Sequence, residues 1–245
     1  MQQSLVSVVI ANHNYGHFIG HAIESVAAQT HGSLELIVVD DGSTDNSVQE
    51  VKGLKTLLVE RFTEFKLIEQ PAKRGFNAAL NIGINYVKGD LTILFDSDDI
   101  MFPTYVERTV RELLERVPSG VGFVYTNSVL IDNDGNRIQE GLSHSFDAEL
   151  LQTKSYIPGC AATLTHVLRP IFPLDETITV GGKHLRWQQI VASGYKGMHI
   201  AEPLFYYRMH DSNHSGIGKK VIAARDGLGN KPAMLDGYWN PVPLK

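Results

Sequence analysis

Four short apolar runs, each closed by a polar cluster and followed by an amphipathic stretch, fill the first hundred residues. No other feature constrains the fold of this chain as much. Val6-Ser7-Val8-Val9-Ile10 reads as a buried strand and ends in Asn12-His13-Asn14-Tyr15-Gly16. Leu34 to Val39 reads as a second strand. It runs into Asp40-Asp41-Gly42-Ser43-Thr44-Asp45, turn chemistry followed by helix-start chemistry. Phe65 to Ile68 is a shorter third strand, and Leu91 to Phe95 a fourth, closed by Asp96-Ser97-Asp98-Asp99. Between them, Phe18, Ala22, Ile23, Val26 and Ala27 share one helical face. Val48, Val51, Leu54 and Leu58 mark a second helix, and Gly75 opens a third with Phe76, Ala79, Leu80 and Ile84 apolar. Pro103 suits the first turn of a helix ending near Arg116.

Alternating strands and helices predict an α/β chain with a Rossmann-like, mostly parallel central sheet and helices on both faces. Ligands of such sheets bind beyond the carboxyl ends of the strands. Here those ends carry Asn12–Asn14, Asp40–Asp41 and Asp96–Asp99, so three polar clusters converge on one rim.

The pattern changes after Val121 to Tyr125. Val129-Leu130-Ile131, Asp134-Gly135 and Arg137-Ile138 predict a hairpin, and residues 140–155 a polar loop. Gly159 to Thr165 suits a strand, Arg186 to Ser193 a short helix closed by Gly194, and Met198–Ile200 and Leu204–Tyr207 extended chain. The expected organisation is a first half over 1–125, a smaller second half over 126–216, and a flexible tail or lid over 217–245.

Composition excludes several classes. The 245 residues carry 22 Lys+Arg against 27 Asp+Glu, a net charge of −5, which argues against a broad nucleic-acid or anionic-membrane footprint. The single cysteine, Cys160, rules out an internal disulfide framework and a CxxC knuckle. No apolar run approaches the roughly 18 residues of a membrane span, and the N-terminus lacks a signal-peptide layout. The expectation is a cytoplasmic protein without a transmembrane segment, with room for peripheral membrane contact. The phosphate-loop pattern, G-x-G-x-x-G, H-E-x-x-H and G-x-S-x-G are all absent.

Three carboxylates within four residues, Asp96 to Asp99, pack cheaply at a strand end only if a cation joins them. Oxygen ligands suit Mg2+ or Mn2+. The alternative is a solvated acidic turn capping the next helix. Asp41 suits acceptance of N–H bonds from a nucleobase, or plain turn chemistry. His210, after Tyr206-Tyr207-Arg208-Met209, could return to the rim as a nitrogen ligand. Lys73-Arg74 could meet phosphate or base, or lie solvated. His17 and His21 lie opposite the apolar face of their helix and read as solvated.

The stretches Ser7–Asn14, Leu36–Asp45, Gly75–Gly83 and Phe95–Asp99, in this order and spacing, resemble the inverting family-two glycosyltransferases of the GT-A fold. Gly194-Tyr195-Lys196, Glu202-Pro203-Leu204 and Tyr206–His210 resemble that family's C-terminal half. The resemblance implies transfer of a sugar, with inversion and metal assistance, from a nucleotide diphosphate donor. A UDP-sugar is favoured, and the acceptor is a saccharide, lipid-linked or other glycoconjugate. It implies that residues 1–125 hold the nucleotide sugar and 126–216 the acceptor. The nucleotide-binding set is then Ala11, Asn12, Asn14, Asp41, Arg74, Asp96 and Ser97, with Asp98 and His210 on Mn2+ or Mg2+.

Two departures stand out. Where the family has Glu-Asp, the Asp being the general base, this chain has Gly182-Lys183, and Leu80 replaces a common arginine. A lysine is no simple base at neutral pH unless burial lowers its pKa strongly. Three explanations stand open: His184 takes the base role, the acceptor is already anionic and Lys183 steers it, or transfer has been lost. The rival functions are a nucleotide-sugar-binding subunit without activity and a nucleotidyltransferase.

Overall fold

The computed structural model describes residues 3–210 and Asn213 in full, and the backbone of two later strands. Strand β1 (Val6–Asn12) leads to helix α1 (Gly16–Ala27), and β2 (Leu34–Asp40) to α2 (Ser47–Gly53) and α3 (Lys55–Arg61). Then come β3 (Glu64–Glu69), α4 (Phe76–Gly83), β4 (Leu91–Asp96), the two-residue β5 (Ile100–Met101) and α5 (Tyr105–Arg116). The second half holds β6 (Val121–Ile131), β7 (Arg137–Leu142), β8 (Ala162–Leu164), α6 (Thr165–Leu168), α7 (Gly182–Ala192) and β9 (Lys196–Arg208). Strands β10 (Ala233–Asp236) and β11 (Asn240–Pro243) follow.

Every residue of β1 and β2 is buried, the signature of strands covered on both faces. Strand β3 is the half-buried edge, and Glu64, Lys66 and Glu69 keep that edge polar. Strands β1 to β4 pair in parallel in the order β3-β2-β1-β4. The register sets Asn12 beside Asp40 and Ala11 beside Asp96, so the three polar clusters do meet on one rim. On one side α4 packs on β1 and β2. α1 buries Phe18, Ile19, Ala22, Ile23 and Val26.

Beyond β4 the sheet is mixed rather than mostly parallel. Strand β8 lies antiparallel between β4 and β6, β7 antiparallel to β6, and β9 parallel to β6 and antiparallel to β5. Several local expectations change accordingly. The second helix is two, interrupted after Gly53, a poor helix residue. The run after Val121 is one strand of eleven residues that includes the hairpin arm. Strand β7 reaches Leu142 in the expected loop, and α7 starts four residues ahead of Arg186. Helix α5 ends at Arg116 as expected, but it begins at Tyr105, after Pro103. The tail or lid expected over 217–245 falls mostly outside the described residues; within it, β10 pairs with β7 and β11 with β10.

Candidate active site

The rim opens into a cleft of about 630 Å3. Ala11, Asn12, Asn14, Asp41, Arg74, Asp96, Ser97, Asp98 and His184 all line it. His210 lies buried behind that wall, on Asp98.

The β1 and β2 ends are tied together. Asn12 Nδ2 donates to Asp40 Oδ1 at 3.0 Å, and the Ser43 hydroxyl donates to the same oxygen at 2.6 Å. Asn14 adopts a left-handed φ of 58°, which its short amide tolerates, and its Oδ1 accepts the Thr44 N–H at 2.7 Å. Both asparagines therefore build the loop that frames the cleft. Asn12 Oδ1 is buried without a hydrogen-bond partner among the described residues.

Asp41 is buried, and its two oxygens accept the backbone N–H groups of Arg74 at 2.8 Å and Gly75 at 2.7 Å. Gly75 takes φ 111°, a conformation glycine adopts without strain, and α4 follows directly. The Arg74 guanidinium pairs with Glu176 at 2.9 Å across the cleft mouth. Leu80, at the position of the family's common arginine, is buried in the core.

The acidic tip is the electrostatic centre. Asp96, Asp98 and Asp99 can bring one carboxylate oxygen each to within 4.8 Å of one another. Asp98 Oδ2 meets His210 Nε2 at 3.0 Å and accepts from Asn213 Nδ2 at 3.2 Å. Asp99 accepts the Arg208 N–H at 3.0 Å. Burial above all, then the neighbouring charges of Asp98 and Asp96, hold its carboxyl well above the usual carboxylate range. Arg208 donates from Nε to the Asp98 carbonyl at 3.0 Å, and its guanidinium lies 4.6 Å from the centre of the Phe18 ring. Tyr15 and Phe18 stand against the His210 ring at 5.3 and 5.1 Å. Burial, then the three aspartates, push the Tyr15 hydroxyl pKa up. As a donor set, several hard carboxylate oxygens beside an imidazole fit Mg2+ or Mn2+.

Lys183 ion-pairs with Asp96. Desolvation is the largest influence and lowers the ammonium's pKa, but the charge of Asp96 and its hydrogen bond, then Asp99 and Asp98, hold it above its ordinary value. The residue at the family's base position is thus a cation at neutral pH. His184, beside it, is half-buried, and desolvation lowers its pKa, so its imidazole is neutral there. Its Nδ1 is buried without a hydrogen-bond partner among the described residues.

Sequence reasoning missed three parts of this site. Arg208 sits two residues before His210, and a two-residue period would have placed both on one side of the chain. The contact of Lys183 with Asp96 had no local signal. His17, expected to be solvated, is exposed yet lines the cleft with its ring 3.8 Å from that of Phe18. His21 is exposed as expected.

Comparison with known proteins agrees with this geometry. The sequence model of Glycosyl transferase family 2 matches residues 7–172. An uncharacterized glycosyltransferase of Nostoc sp. is 30% identical over 223 residues, 85% of this chain and 66% of that protein. The Escherichia coli protein WfgD, a UDP-Glc:alpha-D-GlcNAc-diphosphoundecaprenol beta-1,3-glucosyltransferase, is 30% identical over 134 residues, 55% of this chain and 49% of that one. Two solved structures share the fold. S. aureus TarS 1-349 in complex with UDP has a TM-score of 0.66 at 16% identity, covering 90% of this chain and 65% of that one. The mannosyltransferase PcManGT from Pyrobaculum calidifontis, in complex with GDP-Man and Mn2+, has a TM-score of 0.66 at 15% identity, covering 94% and 66%. The chain thus spans about two thirds or less of the length of each of these proteins. With more than half of its residues matched and its carboxylates gathered on the sheet's carboxyl rim, the chain belongs to Glycosyl transferase family 2.

Proposed function

We propose that this chain is a glycosyltransferase that moves a sugar from a nucleotide diphosphate donor, with a UDP-sugar favoured, to a saccharide, lipid-linked or other glycoconjugate acceptor with inversion. The observation that carries the reading is the convergence of Asn12, Asp41, Asp96, Asp98 and Asp99 in one cleft at the carboxyl rim of the parallel strands. UDP and UDP-Glc in the names of similar proteins favour uridine, and GDP-Man in another keeps guanosine in the screen.

In this reading residues 1–125 hold the donor and 126–216 the acceptor. Asn12, Asn14, Asp41 and the Arg74 loop frame the base and nucleoside, with Ala11 and Ser97 beside them, and Asp96 faces the ribose or the cation. Asp98 and His210 would hold Mn2+ or Mg2+, which supplies Lewis-acid neutralisation of charge on the departing diphosphate when bound. His184 is the proposed base. Its imidazole is neutral at working pH and stands in the cleft wall, whereas Lys183 is protonated and paired.

Purified protein is incubated with UDP-, GDP- and dTDP-sugars, with and without Mn2+, and nucleoside diphosphate release is followed. Release from one nucleotide class, lost in Asp98→Ala, supports the assignment. Binding of a donor with no release, whatever acceptor extract is added, would mean a retired subunit. Formation of a nucleoside triphosphate and a sugar 1-phosphate from the donor when pyrophosphate is added would mean a nucleotidyltransferase.

A further inference from the structure

The carboxylate cluster already contains a cation of the chain's own. The Lys183 ammonium, in the first turn of α7, bonds an oxygen of Asp96 at the end of β4. Its stem is seated. A Cβ on Gly159 would lie 3.0 Å from Lys183 Cδ and 3.2 Å from both Cε and Nζ, so the stem runs in close contact with the Gly159 backbone. From α4, the Phe76 ring faces Nζ at 5.3 Å, a favourable site for an ammonium. The side chain keeps 37% of its surface accessible, so the ammonium sits in the cleft wall within reach of solutes. Asp98 and Asp99 have separate partners in His210, Asn213 and the Arg208 backbone.

A carboxylate oxygen held by an ammonium is a poor ligand for a second cation, because the two positive charges repel across a few ångströms. We propose that Lys183 is a resident counter-ion of the cluster: a divalent cation gains Asp96 as a ligand only by displacing it, so Lys183 sets the cation affinity of the site. The four-carbon stem gives the displaced ammonium room to swing into the cleft. The inference rests on the cluster being the cation site of the proposed reaction. It concerns Mn2+ alone, so failure to find a sugar donor leaves its test intact.

The test titrates Mn2+ into metal-stripped, nucleotide-free protein and follows free Mn2+ by electron paramagnetic resonance. Lys183→Met, which keeps the length of the stem and removes the charge, is expected to bind Mn2+ about tenfold more tightly than wild type, the scale of a partly screened charge pair. Lys183→Gln, a second uncharged variant with a polar end, is expected to tighten binding as well. Adding Asp98→Asn to Lys183→Met should abolish the gain, which locates the ion in the cluster. The proposal is overturned if Lys183→Gln and Lys183→Met melt at the wild-type temperature yet bind Mn2+ no more tightly than wild type. It is equally overturned if the gain survives Asp98→Asn. If Lys183→Met does not fold, Lys183→Gln alone decides: tighter binding supports the proposal and unchanged binding ends it.

Discussion

Asp41 shows how much one side chain does here. Both of its oxygens accept from the loop that starts α4, so the residue expected to meet a base also builds the wall around that base. Replacing it with alanine leaves two N–H groups without acceptors. We expect a loss of about 1–3 kcal/mol in stability, measured by urea unfolding, together with loss of nucleoside diphosphate binding. His184→Ala is expected to lower kcat by about 10²- to 10⁴-fold with KM little changed. In the wild type, desolvation holds the imidazole below its ordinary pKa, so the acid limb of the kcat profile should fall below pH 6.5. An unchanged rate in the variant would remove His184 as the base. Asp98 and His210 were legible as a pair because the acidic tip is a local pattern and the resemblance supplied its histidine. Lys183 on Asp96 was not, since nothing in periodicity says which carboxylate a lysine 87 residues away will meet.

The elements that read most clearly are those whose environment is uniform. Strands β1, β2 and β4 are near-continuous apolar runs, broken before their polar ends only by Ser7, Glu35 and Thr92, because they are covered on both faces. Strand β6 did not read as one strand because Thr126, Asn127 and Ser128 interrupt its pattern, yet all three are buried. Asn127 Oδ1 accepts the Ser143 N–H at 2.9 Å and meets His199 Nε2 at 2.8 Å, and such tertiary partners are invisible locally. The opposite end of the sheet carries a polar knot of its own. Buried Glu35 accepts from the Ser7 hydroxyl, the Lys88 N–H at 2.6 Å and the Gly89 N–H at 3.2 Å. Glu35→Ala strands the Ser7 hydroxyl and the Lys88 N–H, while Gly89 keeps the Ser7 oxygen at 2.8 Å, and we expect about 2–4 kcal/mol of destabilisation by denaturant melts. Because the knot sits away from the rim, nucleotide affinity of the folded variant should stay at the wild-type value.

At the scale of the molecule, the parallel half was legible in its elements and their order, and the mixed half in its β6–β7 hairpin, β8 and β9 but not in how β8 and β9 pair. Strands β1 to β4 follow from alternation and crossover rules, whereas the three-residue β8 and the pairing of β9 with β5 and β6 are set by long-range contacts. Among the described residues no helix is long and apolar enough to cross a membrane. The charge state of the whole chain gives one further expectation. Desolvation lowers the pKa of His17, His184 and His199 in the folded protein. Above about pH 6.5 these imidazoles are neutral folded and unfolded. As pH falls through that value the unfolded chain takes up protons that the folded chain refuses, so stability falls. Asp99, whose raised carboxyl takes up its proton earlier in the folded chain, opposes this, so in Asp99→Asn the melting temperature should drop between about pH 7.5 and about 5.5, and a flat profile there would contradict the desolvation of these rings.

The central claim is that the acidic tip exists to hold a cation against a donor's diphosphate. Calorimetric titration with whichever of UDP and GDP binds more tightly, in Mn2+ and in chelator, tests it most directly. The account predicts that Mn2+ tightens binding at least about tenfold in wild type and not at all in Asp98→Ala. Equal affinity with and without the ion in wild type, or an Mn2+ gain that survives Asp98→Ala, would contradict it.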